Sequence, residues 1–184
     1  MKAIEDLSIL ITGGGSGLGE GAARYFVERG ARVTICGRRA DKIHAVAAEL
    51  GEKCLAITAD INSREDRQAL VAAAVKHGGK LDALVSNAGN MVRGNIDELA
   101  EDQLQEIFQT NVISGMLLTG LCKPHLAETA GAVIFISSIH SRRAFPGASA
   151  YAATKGALET LTKVLAAELG DHKIRVNCVV PGAV

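Results

Sequence analysis

Tyr151 and Lys155 stand one helical turn apart in a stretch of helical period, so both side chains project from the same face. A free phenol titrates near about 10, and an ammonium beside it favours the phenolate by charge proximity. A general acid/base working near neutral pH needs that kind of help. Taken alone, the pair also describes a surface tyrosine beside a solvated lysine. A second signal is Thr12-Gly13-Gly14-Gly15-Ser16-Gly17-Leu18-Gly19, which follows a short apolar run and leads into a helical one. Glycines there let the chain turn tightly and bring backbone N–H groups against a pyrophosphate, whose charge a helix N-terminus favours. The general GxGxxG spacing fails from Gly13, because Leu18 occupies its last position. A third signal is Cys36-Gly37-Arg38-Arg39. Gly37 falls about 20 residues after Gly17, where an NAD site would place an acid for the ribose 2′-hydroxyl. Arg38 follows instead, and a guanidinium fork suits a 2′-phosphate, so NADP(H) is favoured over NAD(H). A solvated pair of arginines is the plain alternative.

Short β-type runs at residues 7–12, 32–36, 54–58, 83–86, 133–137 and 175–179 are mostly apolar, as strands buried on both faces should be. Between them, residues 17–29, 41–50, 63–76, 101–126 and 149–169 carry helical spacing, and the chain shows neither repeat nor linker. Strands alternating with helices indicate an α/β fold, a doubly wound parallel sheet in three layers. Its ligand crevice lies at the carboxyl ends of the strands. Residues 1–184 are expected to form a single dinucleotide-binding and catalytic domain.

Thr12-Gly13-xxx-Gly17-x-Gly19 resembles the TGxxxGxG motif of the short-chain dehydrogenases/reductases. Further pieces follow in that family's order: Asp60, Asn87-Ala88-Gly89, Asn111, Ser138, Tyr151-xxx-Lys155 and Pro181-Gly182. The chain is thus identified as similar to this Rossmann-like family along nearly its whole length, and within it to 3-oxoacyl-carrier-protein reductase-like members. The resemblance implies reversible hydride transfer between NADP(H) and a carbonyl or secondary alcohol, with Tyr151 as acid/base. Lys155 would also meet the nicotinamide ribose, and Ser138, rather than its neighbour Ser137, would hold the substrate oxygen. Asn111 would bend its helix and hold a water for proton relay. Gly13, Gly15, Ser16, Gly17, Leu18, Gly19, Arg38, Asp60, Ile61, Asn87, Ala88, Gly89, Pro181, Gly182 and Val184 complete the cofactor contacts it implies. Asp60 has a plainer role open to it, capping the helix that begins near Ser63. Arg93, Arg142 and Arg143 are candidates for drawing an anionic substrate, or else solvated loop residues.

Family members continue past this point through a segment that covers the substrate, so the sequence is expected to be part of a longer chain. A naturally short nucleotide-binding regulatory protein with little or no turnover is the alternative. Lys plus Arg and Asp plus Glu stand at 20 each, which gives no field to draw nucleic acid or a membrane surface. The four cysteines have no metal-ligand spacing and read as small buried apolar residues. The N-terminus has no signal-like apolar run, so a cytoplasmic protein is expected. The helices at 101–126 and 149–169 are long enough to pack between copies, and the family packs them so; a homodimer or homotetramer is expected.

Overall fold

The computed structural model describes residues 2–182. Its centre is a six-stranded, wholly parallel sheet: β1 (Ser8–Thr12), β2 (Arg32–Gly37), β3 (Cys54–Thr58), β4 (Ala83–Ser86), β5 (Ala132–Ile136) and β6 (Arg175–Val179). The strand order is β3-β2-β1-β4-β5-β6. After β3 the chain crosses back over β1 to place β4 on its far side, so the sheet is wound outward in both directions from the β1/β4 pair. The helices are α1 (Gly17–Glu28), α2 (Ala40–Leu50), α3 (Arg64–Gly78), α4 (Glu101–Phe108), α5 (Ser114–Thr129) and α6 (Ser149–Glu168).

Two apolar clusters pack the two faces. Ile9, Ile11, Val33 and Ile35 meet Ala23 of α1 and Ile43 and Val46 of α2. Leu10, Leu84, Val133 and Phe135 meet Leu70 of α3, Leu118 and Leu126 of α5 and Leu158 of α6. Alternate strand residues serve opposite layers, which is why the central strands read as unbroken apolar runs.

The edge strand departs from that expectation. Arg175, Asn177 and Val179 are exposed, and Ile134 and Ile136 beside them are only half-buried, because among the described residues no helix covers this face of β5 and β6. Cys178 is accordingly half-buried, while Cys36, Cys54 and Cys122 are buried as expected. The helical stretch at 101–126 also differs from a continuous helix: a π-helical turn, Gln109–Ile113, separates α4 from α5. Such a turn inserts an extra residue and re-aims the side chains within it. Ser137 falls just past β5, not inside it. Among the described residues no helix is long and apolar enough to cross a membrane.

Candidate active site

The glycine loop is held to both neighbours of β1. The Gly13 and Gly14 N–H groups donate to the Cys36 carbonyl of β2, at 2.9 and 3.1 Å. On the β4 side, the Thr12 hydroxyl accepts from the N–H groups of Asn87 and Ala88, at 3.0 and 2.9 Å, and Asn87 Nδ2 donates to the Thr12 carbonyl at 2.9 Å. Gly13 lies in left-handed backbone at φ +69°, and a Cβ there would sit 3.0 Å from Ala88 Cα. At Gly19 a Cβ would lie 2.3 Å from the Gly13 carbonyl oxygen and 2.5 Å from Asn87 Nδ2. Helix α1 can approach the loop only through a glycine at that position.

A cleft of about 390 Å³ opens over this loop, lined by Gly13, Gly15, Ser16, Leu18, Arg38, Asp60, Ile61, Asn87, Ala88 and Gly89, among others. Gly17 and Gly19 stand behind it, shaping the loop and its packing. Among the described residues no side chain caps the start of α1 at Ser16, which leaves its first N–H groups free to meet an anion. These features fit a dinucleotide's pyrophosphate. Arg38 lines the cleft together with Arg39 and Lys42, and Arg39 Nη2 donates to the Ser16 hydroxyl at 3.1 Å. Arg39 and Lys42 were not legible as cleft residues, since their sequence signal is that of any basic helix start. Asp41 is exposed and stays outside the lining. Asp60 does not cap α3: the cap is Ser63, whose hydroxyl accepts from the Asp66 N–H at 3.1 Å, while Asp60 accepts from the Asn62 N–H at 2.9 Å. The side chain nearer the first turn takes the cap and leaves Asp60 at the cleft wall.

A smaller cavity of about 180 Å³ shares Leu18, Asn87, Gly89 and Asn90 with the cleft, and its remaining walls include Ser137, Ser138, Tyr151, Lys155, Pro181 and Gly182. Val184 lies outside the described residues. Residues from β4, β5, α6 and the segment after β6 therefore converge at the carboxyl end of the sheet. The two serines are separated by their bonding. Ser137 Oγ donates to the Lys155 carbonyl at 2.9 Å and is buried. Among the described residues Ser138 Oγ meets only His140, at 3.1 Å from Nδ1 and 3.3 Å from the backbone N–H.

Asn111 sits in the π-helical turn, 3 % exposed, and clamps the loop after β4 to α6. Its Nδ2 donates to the Asn90 carbonyl at 3.0 Å and to Thr154 Oγ1 at 3.1 Å, and its Oδ1 accepts from the Asn90 N–H at 2.9 Å. Asn90 is thus a wall of both cavities that sequence did not single out, because its role depends on a contact with the π-helical turn. Lys155 is 4 % exposed. Its ammonium donates to the Ile136 carbonyl at 2.8 Å and lies 5.5 Å from the centre of the Tyr151 ring. Burial pushes Lys155 down to about 8. Of the loop arginines, Arg142 forks onto Glu159 at 2.9 and 3.1 Å and is not free to draw an anion, whereas Arg93 and Arg143 carry no such pair among the described residues.

A glycine loop set against a helix N-terminus, at the point where a parallel sheet winds both ways, defines a nucleotide-binding protein of the Rossmann-like class. The sequence matches the short chain dehydrogenase family model over residues 8–184. It is 36% identical to an uncharacterized oxidoreductase of Methylorubrum extorquens, across 100% of this chain and 75% of that one. It is 37% identical to the L-fucose dehydrogenase of Bos taurus, across 95% of this chain, and spans only 64% of that relative's length. Among solved structures, the 3-ketoacyl-(acyl-carrier-protein) reductase of Brucella melitensis complexed with NADH superposes with a TM-score of 0.95 at 37% identity, covering 98% of this chain and 77% of that one. The chain belongs to the short-chain dehydrogenase family.

Lys155 generates a pH-dependent stability. In the unfolded chain a lysine keeps its proton up to about 10.4, whereas in the fold it releases it near about 8. Between those values the unfolded state binds more protons, so wild-type stability rises with pH relative to Lys155→Met. Denaturant unfolding at pH 7 and pH 10.5 should show the difference between the two proteins shifting by about 3 kcal/mol in favour of wild type. A difference independent of pH would mean that Lys155 is not buried as a charge.

Proposed function

We propose that the chain exchanges a hydride between NADP(H) and a carbonyl or secondary alcohol substrate, with Tyr151 as general acid/base. The observation that carries this reading is one cavity that joins Ser138, Tyr151 and Lys155 and shares walls with the cleft over the glycine loop. The nicotinamide dinucleotide, when bound, supplies or accepts the hydride. In reduction, the substrate oxygen takes the proton that Tyr151 Oη gives up, and in oxidation the tyrosine takes it back. Ser138 Oγ holds that oxygen by donating to it, and so stabilises the charge that builds there.

Lys155 orients the site from below. Anchored on the Ile136 carbonyl, its ammonium has donors left for a ribose. Asn111 fixes the Asn90 loop to α6, and because its amide is engaged by Asn90 and Thr154, a relay water would be met by its main chain. Gly13, Gly15 and Ser16 and the start of α1 bind the pyrophosphate, with Gly17, Leu18 and Gly19 shaping the turn. Asp60 and Ile61 border the adenine, Asn87, Ala88 and Gly89 its ribose, and Pro181 and Gly182 the nicotinamide. Arg38 is the residue for the 2′-phosphate, with Arg39 and Lys42 beside it supporting the choice of NADP(H). The relatives include dehydrogenases and reductases of differing substrates, so the reading commits to the chemical class alone.

The reading also includes self-association, in a dimer or tetramer. Phe108, Ile113, Met116 and Leu117 of the α4–α5 segment and Val164 of α6 are 36–49% exposed, and apolar side chains of that size concentrated on two long helices are what a second copy would cover.

Tyr151→Phe removes the transferable proton while keeping the ring. Turnover of cofactor should fall by roughly 10²-fold or more with NADPH binding unchanged, and undiminished turnover would reject the role. In parallel titrations followed by nicotinamide fluorescence, Arg38→Ala should weaken NADPH about 10-fold or more and leave NADH alone; equal losses for both would remove the basis for NADP(H). Light scattering should give at least twice the chain mass, and only monomer at working concentration would end the oligomer reading.

A further inference from the structure

His140 has no part in the chemistry above, yet its ring touches both Ser138 and Tyr151. It belongs to a single 3-10 turn, Ile139–Ser141, which Ser138 caps. The turn is pinned on both flanks. The Ile139 N–H donates to the Pro181 carbonyl at 2.9 Å, and Ser141 Oγ donates to the Ser138 carbonyl at 2.6 Å and meets Glu159. The imidazole stacks on Phe145, with centroids 4.1 Å apart and planes at 27°. On its other contact it stands edge-on to Tyr151, at 5.3 Å and 83°. Held in this way, Nδ1 lies 3.1 Å from Ser138 Oγ.

That contact matters because of what a hydroxyl can do. It has one proton to donate and two sites at which to accept. One acceptor site of Ser138 Oγ is used by the His140 backbone N–H, at 3.3 Å. If a bare Nδ1 faced the hydroxyl, the serine proton would be spent on the ring, and only a lone pair would be left for a substrate. If Nδ1 carries hydrogen, the ring donates, both acceptor sites are filled and the serine proton is free. Hydride transfer builds negative charge on the substrate oxygen, and only a donor stabilises it.

We propose that His140 is a positioning residue for Ser138: its Nδ1–H donates to Ser138 Oγ and so turns the hydroxyl proton toward the reacting oxygen. Its consequence for turnover rests on the oxidoreductase reading above, whereas the hydrogen bond itself does not. The histidine acts through the serine and need touch neither substrate nor cofactor.

Two measurements on the full chain test this. The first needs no turnover: long-range ¹H–¹⁵N correlation of the histidine rings, without cofactor or substrate, in wild type and Ser138→Ala. Wild type should show a protonated Nδ1 on His140, and Ser138→Ala should remove that preference. A bare Nδ1 in wild type, or ring resonances that ignore Ser138→Ala, overturns the proposal. The second compares His140→Phe, which keeps the stacked ring without a donor, with His140→Asn, whose amide N–H can reach the same hydroxyl. His140→Phe should lower kcat about 10-fold with KM changed much less, and His140→Asn should recover most of the loss. Wild-type kcat in His140→Phe, or no recovery in His140→Asn, also overturns it. A wild-type chain without turnover would sink the oxidoreductase reading instead and leave the ring resonances to decide the role of His140.

Discussion

The site depends on how the seam between β1 and β4 is held closed at the sheet and open above it. These two strands are neighbours whose onward chains leave in different directions, β1 into the glycine loop and α1, β4 into the loop that ends at α4. Outward winding from one seam leaves a crevice at the carboxyl ends of the strands. The Thr12 hydroxyl spans it, accepting from the first two N–H groups past β4, while the Asn87 amide returns the bond to the Thr12 carbonyl. Backbone polar groups that have left the ladder are thereby satisfied without filling the crevice. The requirement for glycine at position 19 follows from the same seam, because Asn87 Nδ2 and the Gly13 carbonyl occupy the space a side chain would need.

A similar economy places α6. Lys155 is buried at a desolvation cost, which its shifted titration reports. Its ammonium reaches the carbonyl that ends β5, and the adjoining Ser137 hydroxyl donates to the Lys155 carbonyl in return. Helix and strand end are thus joined by two reciprocal bonds, one at each end of the lysine. That pairing fixes the turn of α6 on which Tyr151 rides. A buried lysine is a poor way to stabilise a fold, since burying a charge costs more than burying an apolar chain of the same size. Its place in the cavity wall is better accounted for by the role proposed for it there.

Much of this arrangement was legible in the sequence because its signals are local. A glycine run between a strand and a helix, a tyrosine and lysine one turn apart, and the acid missing after β2 each depend on spacing within a few residues. What could not be read depends on which segments meet. Asn90 becomes a wall of both cavities only because the π-helical turn aims Asn111 at it, and an inserted residue in a helix leaves no periodic trace over so short a span. Asp60 looked equally able to cap α3, until packing gave that place to Ser63. Arg39 and Lys42 carry no local signal beyond that of a basic helix start, and it is the path of the chain into α2 past the cleft that brings them to its lining. The exposed face of β6 is itself written in the sequence, where Arg175 and Asn177 alternate with Val176 and Cys178 and only Val179 breaks the pattern.

The distribution of the candidate residues also separates chemistry from specificity. Ser138, Tyr151, Lys155 and Asn111 are each tied to a strand end or a helix whose position the core determines, and each has at least one neighbour across a different element. Residues 91–100, by contrast, run between β4 and α4 outside any helix or strand, and residues 142–148 do the same before α6. Segments of that kind tolerate change in composition and length because little else depends on them. The groups proposed to react can therefore stay fixed while the neighbouring loops differ, a division that lets one fold serve different substrates. His140 lies at the boundary between these two regions. Its backbone belongs to the turn that Ser138 caps, while its ring packs on Phe145 of the 142–148 segment. A change in that loop can thus reach the serine hydroxyl through the imidazole without displacing the groups proposed to react.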